Sequence, residues 1–207
     1  MRSNLAELMA DLKEQQALAL VEAQLAAGGD PHEILAACQA GMIRVGQKFE
    51  QGAFYVSDLL MAAEMFKTIN EILAPRLAGT AVAQGAKIVV GTVAGDIHDI
   101  GKDLVVAMLQ AGGFEVHDLG VDAPPGVFVA RLRETGAKVL ALSCLLTTAY
   151  DSIKDTIAAL EEAGLRTRVK VIIGGGPMDE LVVAYTGADA YGADAQAAVR
   201  LSREMIG

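Results

Sequence analysis

The first part of the chain carries apolar side chains at the spacing of α-helices, beginning with Leu5, Leu8 and Met9. Three helices are predicted there: from Leu5 to the Gly28-Gly29 break, from Pro31 to about Lys48, and from Ser57 to just before Pro75. Asp30 suits the N-cap of the second helix, Pro31 suits its first position, and Ser57 can cap the third. Long helices joined by short turns predict a small helical bundle.

After residue 86 the pattern changes to short β-rich runs that alternate with amphipathic stretches. Five strands are predicted, at residues 87–93, 115–119, 138–143, 170–173 and 188–191. Five helices follow them in turn, at residues 100–110, 127–134, 152–163, 179–185 and 195–205. This alternation predicts a parallel sheet that is covered on both faces, with the flavodoxin-like strand order 2-1-3-4-5.

The two patterns define an α + α/β fold class with two domains. A helical bundle is expected at residues 1–78, a linker at residues 79–86, and a flavodoxin- or Rossmann-like domain with a five-stranded parallel sheet at residues 87–207. In such sheets a ligand binds at the carboxyl ends of the strands, beside the first strand. The loops that matter are therefore those after Val93, Ser143 and Ile173.

Composition and charge narrow the function further. The 207-residue chain is 53% hydrophobic and carries a formal net charge of −9, which opposes binding to nucleic acid. No window reaches the ~18 uninterrupted apolar residues of a membrane span, so no membrane partner is expected. Cys38 and Cys144 form neither a disulfide framework nor a zinc-type cluster. A cytoplasmic, reducing location is the expectation.

The loop after the first predicted strand places His98 between Asp96 and Asp99. It lacks the glycine spacing of a P-loop or a dinucleotide fingerprint, and Asp103 stands where a P-loop needs a hydroxyl. A neutral imidazole is a common metal ligand, and a carboxylate on its other nitrogen fixes the tautomer. The alternative is that Asp96 and Asp99 cap the next helix and that His98 is an ordinary loop residue.

Three short elements lie in the loops at the sheet end: Asp96-x-His98-x-x-Gly101, then Ser143-Cys144-Leu145, then Gly174-Gly175. Residues 102–142 separate the first from the second, and residues 146–173 separate the second from the third. Together they resemble the cobalamin-binding signature of methionine synthase, corrinoid methyl carriers and some B12-dependent mutases. Three spaced elements are far more specific than any one alone.

The resemblance implies that cobalamin binds with its lower base displaced and that His98 coordinates the cobalt. It also implies a relay of His98, Asp96 and Ser143, in which Asp96 holds His98 and Ser143 reaches Asp96 or the displaced nucleotide tail. The residues that the resemblance implies for cofactor binding are Asp96, Ile97, His98, Asp99, Ile100, Gly101, Ser143, Leu145, Thr147, Gly174, Gly175, Gly176, Phe49 and Val56.

The helical half carries a fourth element, because residues 49–65 resemble the cap that covers the upper face of the corrin in methionine synthase and the methyl carriers. Phe49 and Val56 fall on the two covering positions, and Ser57 stands where the family usually has proline. Taken alone, Phe49 and Tyr55 would be assigned to the bundle core. Three methionines are also expected in that core, namely Met42, Met61 and Met65.

The resemblance thus implies a corrinoid methyl carrier whose cobalamin cycles between Co(I) and methylcobalamin. Its implied partners are a substrate-specific methyltransferase and a second methyltransferase that methylates a tetrahydrofolate or a thiol coenzyme, with a reductive activator as a further candidate. The chain is expected to be a carrier component rather than a catalyst by itself, with residues 79–85 as the hinge of the cap. Methylamines, methanol, glycine betaine and methoxy-aromatic compounds all remain open as donors.

Three other classes compete with this interpretation. The chief alternative is the small B12-binding subunit of a cobalamin-dependent mutase, which shares the histidine loop but has no use for a methyl-covering cap. A B12-sensing regulator usually adds a DNA-reading module, for which this acidic chain has no basic helix. A receiver-like signalling domain needs an acidic phosphoacceptor at the end of the first or third strand, and Ser143 stands at the latter.

Overall fold

The computed structural model describes residues 5–77, 85–176 and 178–207. The chain separates into two compact units, one of Met1–Gln84 with Gln110–Gly113 and one of Gly85–Leu109 with Phe114–Gly207. We call them the helical unit and the α/β unit. The predicted linker lies outside the described residues except for residues 85 and 86, and so does the candidate hinge except for Gly85.

Four helices form the described part of the helical unit: α1 (Leu5–Ala10), α2 (Glu14–Ala26), α3 (Pro31–Glu50) and α4 (Val56–Leu77). The single first helix that the periodicity predicted is thus broken into two. Leu12 takes a left-handed conformation with a φ of 55°, which a continuing right-handed helix cannot contain. The apolar spacing persists across the break, and for this reason the sequence did not reveal it.

The ends of the longer helices test the predicted caps. Asp30 caps α3 by accepting a 2.9 Å hydrogen bond from the His32 amide, with Pro31 in the first helical turn, so this prediction is confirmed. At α4 the prediction was wrong, because Asp58 rather than Ser57 satisfies the helix start by accepting the Tyr55 N–H at 2.7 Å. The helix also continues past Pro75 to Leu77.

The α/β unit contains five strands: β1 (Lys87–Thr92), β2 (Glu115–Asp118), β3 (Val139–Ser143), β4 (Lys170–Gly174) and β5 (Ala190–Gly192). Five α-helices alternate with them: α5 (Ile100–Ala111), α6 (Pro125–Thr135), α7 (Tyr150–Glu162), α8 (Glu180–Thr186) and α9 (Ala195–Ile206). A short 3₁₀ turn, Thr147–Ala149, precedes α7. All strand pairs are parallel, in the order β2-β1-β3-β4-β5, which confirms the predicted topology.

The central strands are buried on both faces, as their continuous apolar runs predicted. On one face, Val89 and Leu140 pack into a core with Phe128 of α6 and Ile157 of α7. At the alternate strand positions, which face the other side of the sheet, Ile88, Val90 and Ile172 are equally buried. The carboxyl ends of β1, β3 and β4 therefore rest on a rigid base. Within the described residues no helix has the length and apolar character to cross a membrane.

Asp189 anchors the opposite end of the sheet, just before β5. Its carboxylate accepts hydrogen bonds from the Val171 amide at 2.7 Å, the Arg166 guanidinium at 2.9 Å and the Lys170 ammonium at 3.3 Å. Burial by itself would raise the pKa of Asp189, but these donors hold that pKa below its ordinary value. The folded state thus binds this proton less readily than the unfolded chain does.

We predict that Asp189→Asn lowers the free energy of unfolding by about 1–3 kcal/mol at neutral pH, because a charge-assisted set of hydrogen bonds is weakened. The difference in free energy of unfolding between the wild type and Asp189→Asn is fully present at a pH above the unfolded-state pKa of about 3.9. It is lost as the pH falls through the lower pKa of the folded state. Urea unfolding at a series of pH values measures this difference. A gap between the two proteins that does not shrink in acid would contradict the assignment.

Candidate functional site

The loop between β1 and α5 carries the histidine that the sequence singled out. Thr92, the last residue of β1, is fully buried, and its Oγ1 donates a 3.0 Å hydrogen bond to the His98 carbonyl oxygen. Asp96 is also fully buried, whereas the next two residues, Ile97 and His98, are exposed. The loop therefore turns one carboxylate inward and presents the neighbouring side chains outward.

The Asp96 carboxylate accepts hydrogen bonds from two segments of the chain. Its Oδ1 accepts from His98 Nδ1 at 2.6 Å and from the His98 amide at 3.0 Å. Its Oδ2 accepts from the amides of Leu145 and Leu146, at 2.5 and 3.0 Å, in the loop after β3. None of these donors belongs to α5, so the alternative in which Asp96 caps that helix does not hold.

These bonds keep Asp96 ionised. Burial by itself would raise the pKa of Asp96, but the amide of Leu146, the ring and amide of His98 and the amide of Leu145 hold that pKa well below its usual range. An ionised carboxylate only accepts hydrogen bonds, so His98 Nδ1 must be the donor. In neutral His98 the proton therefore lies on Nδ1 and the lone pair on Nε2.

His98 Nε2 is available to a ligand. The side chain is 48% exposed, and among the residues that the structure describes Nε2 has no hydrogen-bond partner. An imidazole whose other nitrogen donates to a carboxylate is the usual arrangement of a metal-binding histidine. The described ranges contain no group of three or more His, Cys, Asp or Glu that could hold a bare ion. The site thus suits a metal that brings most of its own ligands.

Ser143 does not take the place in the relay that the resemblance implied for it at Asp96. No hydrogen bond joins Ser143 to Asp96 in the described part of the chain, because the Leu145 and Leu146 amides already occupy Oδ2. The other alternative, contact with a nucleotide tail, stays a prediction. Cys144 is fully buried, and burial raises the pKa of its thiol to about 12, so this residue is a packing thiol.

Apolar side chains surround His98 on the protein surface. Ile97 is 71% exposed and Ile100 is 68% exposed, and Leu145 and Leu146 of the loop after β3 are also exposed. Large aliphatic groups left in water beside an available imidazole are typical of a binding surface. A planar, largely apolar ligand that carries a metal matches both features.

The glycines of the three sheet-end elements differ in how much space the protein leaves for a side chain at each position. A Cβ added to Gly175 would overlap the Cys144 carbonyl oxygen, and its φ is 132°, so packing between the two loops demands glycine there. At Gly174 the nearest atom would be 3.8 Å away, and at Gly176 the Leu145 side chain would be 2.9 Å away. At Gly101, in the first turn of α5, an added Cβ would meet no protein atom within 4 Å.

The other two predicted cofactor-binding side chains of the α/β unit, Asp99 and Thr147, are exposed at the sheet end. Asp99 is exposed, and its carbonyl oxygen accepts the Asp103 amide at 2.7 Å at the start of α5. Thr147 is exposed in the 3₁₀ turn, and no hydrogen bond of its hydroxyl occurs within the described residues. Both side chains are therefore accessible to a ligand that covers the sheet end.

The helical unit exposes apolar side chains at the turn between α3 and α4. Phe49 is half-buried and Val56 is 54% exposed. Exposed beside them on the described surface are Tyr55, Leu60 and Met61, which with Val56 we call the α3–α4 patch. Met42 and Met65 are buried as predicted, but the expectation that Met61 lies in the core was wrong, since it is 48% exposed. The bundle core does not use this patch.

Two further residues that hold the site were missed in the sequence. Thr92 is a polar residue at the end of an otherwise apolar strand, which was an available signal for a buried hydrogen bond. Lys102 is 3% exposed and donates 2.5 Å hydrogen bonds to Asp103 of the same helix and to Asp118, the second of which joins α5 to β2. Burial would lower the pKa of Lys102, but these carboxylates raise it. The position of Lys102 directly after Gly101 was the signal in the sequence that could have singled it out.

A carboxylate-held histidine at the switch point of a doubly wound sheet, beside exposed aliphatic groups, suits a protein whose metal is carried inside a macrocycle. Comparison with known proteins gives the same class and a narrower one. A B12 binding domain family matches residues 86–200, and a second family described as a B12 binding domain matches residues 1–74. The chain belongs to the B12-binding corrinoid proteins, and cobalamin is its cofactor.

Relatives match along nearly the whole chain. A dimethylamine corrinoid protein of Methanosarcina acetivorans is 39% identical over 202 residues, which cover 97% of this chain and 94% of the relative. A trimethylamine corrinoid protein of the same species is 37% identical over 203 residues, again with 97% and 94% covered.

Solved structures share the architecture. A cobalamin-binding protein from Desulfitobacterium hafniense is 38% identical with a TM-score of 0.74, covering 98% of this chain and 97% of that one. The methanol:cobalamin methyltransferase complex of Methanosarcina barkeri contains a chain that is 26% identical with a TM-score of 0.84, covering 98% of this chain and 78% of that one.

Proposed function

We propose that this protein is the methyl carrier of a corrinoid-dependent methyltransferase system, with cobalamin held base-off by His98. One observation carries the proposal: the buried Asp96 carboxylate fixes the proton of His98 on Nδ1 and leaves Nε2 exposed and without a partner among the described residues. When bound, cobalamin supplies a cobalt centre that accepts and releases a methyl group. The protein supplies the lower ligand and the surroundings.

Asp96 is the residue that keeps His98 a good ligand. Its negative charge makes Nε2 a better electron donor to a metal through the 2.6 Å bond to Nδ1. Because the amides of Leu145 and Leu146 hold the other oxygen, Asp96 cannot turn away from the ring without leaving two amides unsatisfied. The ring therefore keeps one orientation whether or not a metal is bound, which lowers the ordering cost of ligation.

The loops after β3 and β4 are the proposed seat of the nucleotide tail. Gly174 and Gly176 present backbone without side chains, and the accessible hydroxyl of Thr147 can hydrogen-bond a polar tail. Ser143, at the end of β3, is assigned to the same tail. The open space at Gly101 gives the macrocycle room to approach α5.

We further propose that Phe49 and Val56 cover the upper face of cobalamin. The α3–α4 patch supports this, because its four side chains stay exposed although burial would stabilise them. The mutase-subunit alternative gives no role to such a patch. The domain boundaries near residues 78 and 87, the mobility of the cap and a cytoplasmic location belong to the same proposal, and the two free cysteines agree with a reducing compartment.

The proposed partners are a methyltransferase that delivers the methyl group and a second that removes it, with a reductive activator as a third. The names of the relatives favour a methylamine as the donor, since the dimethylamine and trimethylamine corrinoid proteins are 39% and 37% identical to this chain. The structure with a methanol system is 26% identical. Methanol is therefore the second candidate for the methyl donor.

We predict that His98→Ala abolishes histidine ligation of the cobalt. Wild-type protein is reconstituted with hydroxocobalamin and reduced to the cob(II)alamin state, and its electron paramagnetic resonance spectrum should show coupling to one histidine nitrogen. The coupling should vanish in His98→Ala and persist in His117→Ala, the matched control on β2. Absence of the coupling from the wild-type spectrum would contradict the assignment of His98 as the cobalt ligand.

Gly101 offers a test of the binding surface that leaves the fold intact. Gly101→Ala should keep or raise the free energy of unfolding by up to about 1 kcal/mol, because alanine favours a helix and no atom opposes the new Cβ. It should nevertheless weaken hydroxocobalamin uptake by about tenfold or more through overpacking. Gly126→Ala is the control, since Gly126 is also the second residue of its helix with open space around it. Equal uptake by both variants would contradict the assignment.

The carrier function predicts methyl transfer to the reconstituted protein. Reduced protein is mixed with isotope-labelled dimethylamine, trimethylamine or methanol and with the corresponding donor methyltransferase of Methanosarcina. We expect a methylamine system to load about one label per cobalamin, and loading to fail with His98→Ala. If no donor enzyme loads a protein that binds cobalamin, the carrier proposal is wrong and the mutase-subunit alternative gains.

A further inference from the structure

The loop between β2 and α6 runs alongside the loop that carries His98. Thr92 joins the two in both directions, since its amide donates to the Gly120 carbonyl at 2.9 Å and its carbonyl accepts from the Ala123 amide at 3.0 Å. Val93 and Ala123 form an isolated parallel bridge. Residues 119–124 thus extend the sheet edge beyond β2 and support the turn that begins at Val93.

Asp122 makes the closest connection between these loops. Its Oδ1 accepts a 2.7 Å hydrogen bond from the Gly95 amide, and its own amide donates a 3.0 Å hydrogen bond to the Asp96 carbonyl. It therefore holds the peptide units on both sides of the bond between Gly95 and Asp96. No other described side chain makes a hydrogen bond to that stretch of backbone.

The backbone of Asp122 is unusual. Its φ is 52°, and within the described ranges Leu12 is the only other non-glycine residue with a positive φ. Such a conformation costs about 1 kcal/mol or more for a residue with a Cβ, and it persists where surrounding bonds enforce it. In this structure Asp122 makes both hydrogen bonds, to Gly95 and to Asp96, from this left-handed conformation.

Gly95 explains why the loop needs this support. Its φ is 82° and an added Cβ would meet nothing within 4 Å, so Gly95 lies in open space with no side chain of its own. Besides Asp122, the turn bond from the Asp96 amide to the Val93 carbonyl at 3.2 Å restrains this segment. Rotation there would swing Asp96 away from the Leu145 and Leu146 amides and carry His98 with it. The Asp122 carboxylate removes this freedom by fixing the direction of the Gly95 N–H.

We propose that Asp122 is the positioning residue that orients the Asp96–His98 pair for ligation, acting through the backbone of Gly95 and Asp96. The inference deepens the proposed function and rests on it for the identity of the ligand. Neither the cobalamin signature nor the resemblance assigns Asp122 a role. Among the described residues no hydrogen bond joins Asp122 to the imidazole, so its connection to the ring runs through the backbone of Gly95 and Asp96.

The test separates the hydrogen bond from the backbone conformation. Asp122→Gly keeps the left-handed backbone but removes the acceptor, whereas Asp122→Asn keeps both, because asparagine tolerates this conformation and its amide oxygen can accept. Asp194→Gly is the matched control: Asp194 also accepts a 2.7 Å bond from a backbone amide, that of Ala197, but at the start of α9.

The first readout uses protein without cobalamin. Nitrogen NMR with isotope-labelled histidine reports which ring nitrogen of His98 carries the proton, and the His98 signals are those absent from His98→Ala. We expect the fraction of His98 whose ring proton is not on Nδ1 to rise about two- to tenfold in Asp122→Gly. This is the change in an equilibrium constant that the loss of one hydrogen bond produces. Asp122→Asn and Asp194→Gly should match the wild type.

The second readout uses protein loaded with cob(II)alamin, in which Asp122→Gly should show a smaller fraction of histidine-coupled cobalt than the wild type. Wild-type histidine populations in Asp122→Gly, an equal change in Asp194→Gly, or failure of Asp122→Asn to restore the wild-type state would each overturn the inference. If the wild-type cobalt shows no histidine coupling, the proposed function fails, while the NMR readout still decides whether Asp122 positions the pair.

Discussion

Asp96 is a carboxylate with no exposure to solvent, and a buried charge of this kind is tolerated only when it is fully hydrogen-bonded. Four N–H groups satisfy it: the ring and amide of His98 and the amides of Leu145 and Leu146. Because these donors come from the loops after β1 and β3, one buried charge fixes both loops together. The orientation of His98 follows from that requirement, and so does the exposure of Nε2, which has no hydrogen-bond partner among the described residues.

Both units expose apolar surface that their own cores do not use. Each completes its own core and still leaves large aliphatic groups in water, Ile97 and Ile100 in the α/β unit and Val56 and Met61 in the helical unit. Hydrophobic burial would stabilise these groups, so a ligand that covers them gains binding free energy at little cost in protein reorganisation. The largely apolar faces of a corrin ring suit such surfaces.

Much of the fold could be predicted because its signals are local. Alternation of β-rich and amphipathic runs gave all five strands and their order, and Asp30 with Pro31 located the start of α3. The errors arose where a local pattern does not decide. The apolar spacing runs through Leu12 although its backbone is left-handed, and Met61 has a core residue's chemistry but an exposed position. Packing against neighbouring helices settles such cases, and one sequence does not record it.

The sequence by itself determined the fold class, the sheet-end loops and the residue types of the site, because periodicity, turn chemistry and the spaced elements around His98 are written along the chain. Only the tertiary structure decided which groups satisfy Asp96, since the amides of Leu145 and Leu146 are backbone groups that no residue type announces. It also decided why Gly175 is glycine, through its approach to the Cys144 carbonyl. Both depend on the register of parallel strands, which joins residues that are far apart along the chain.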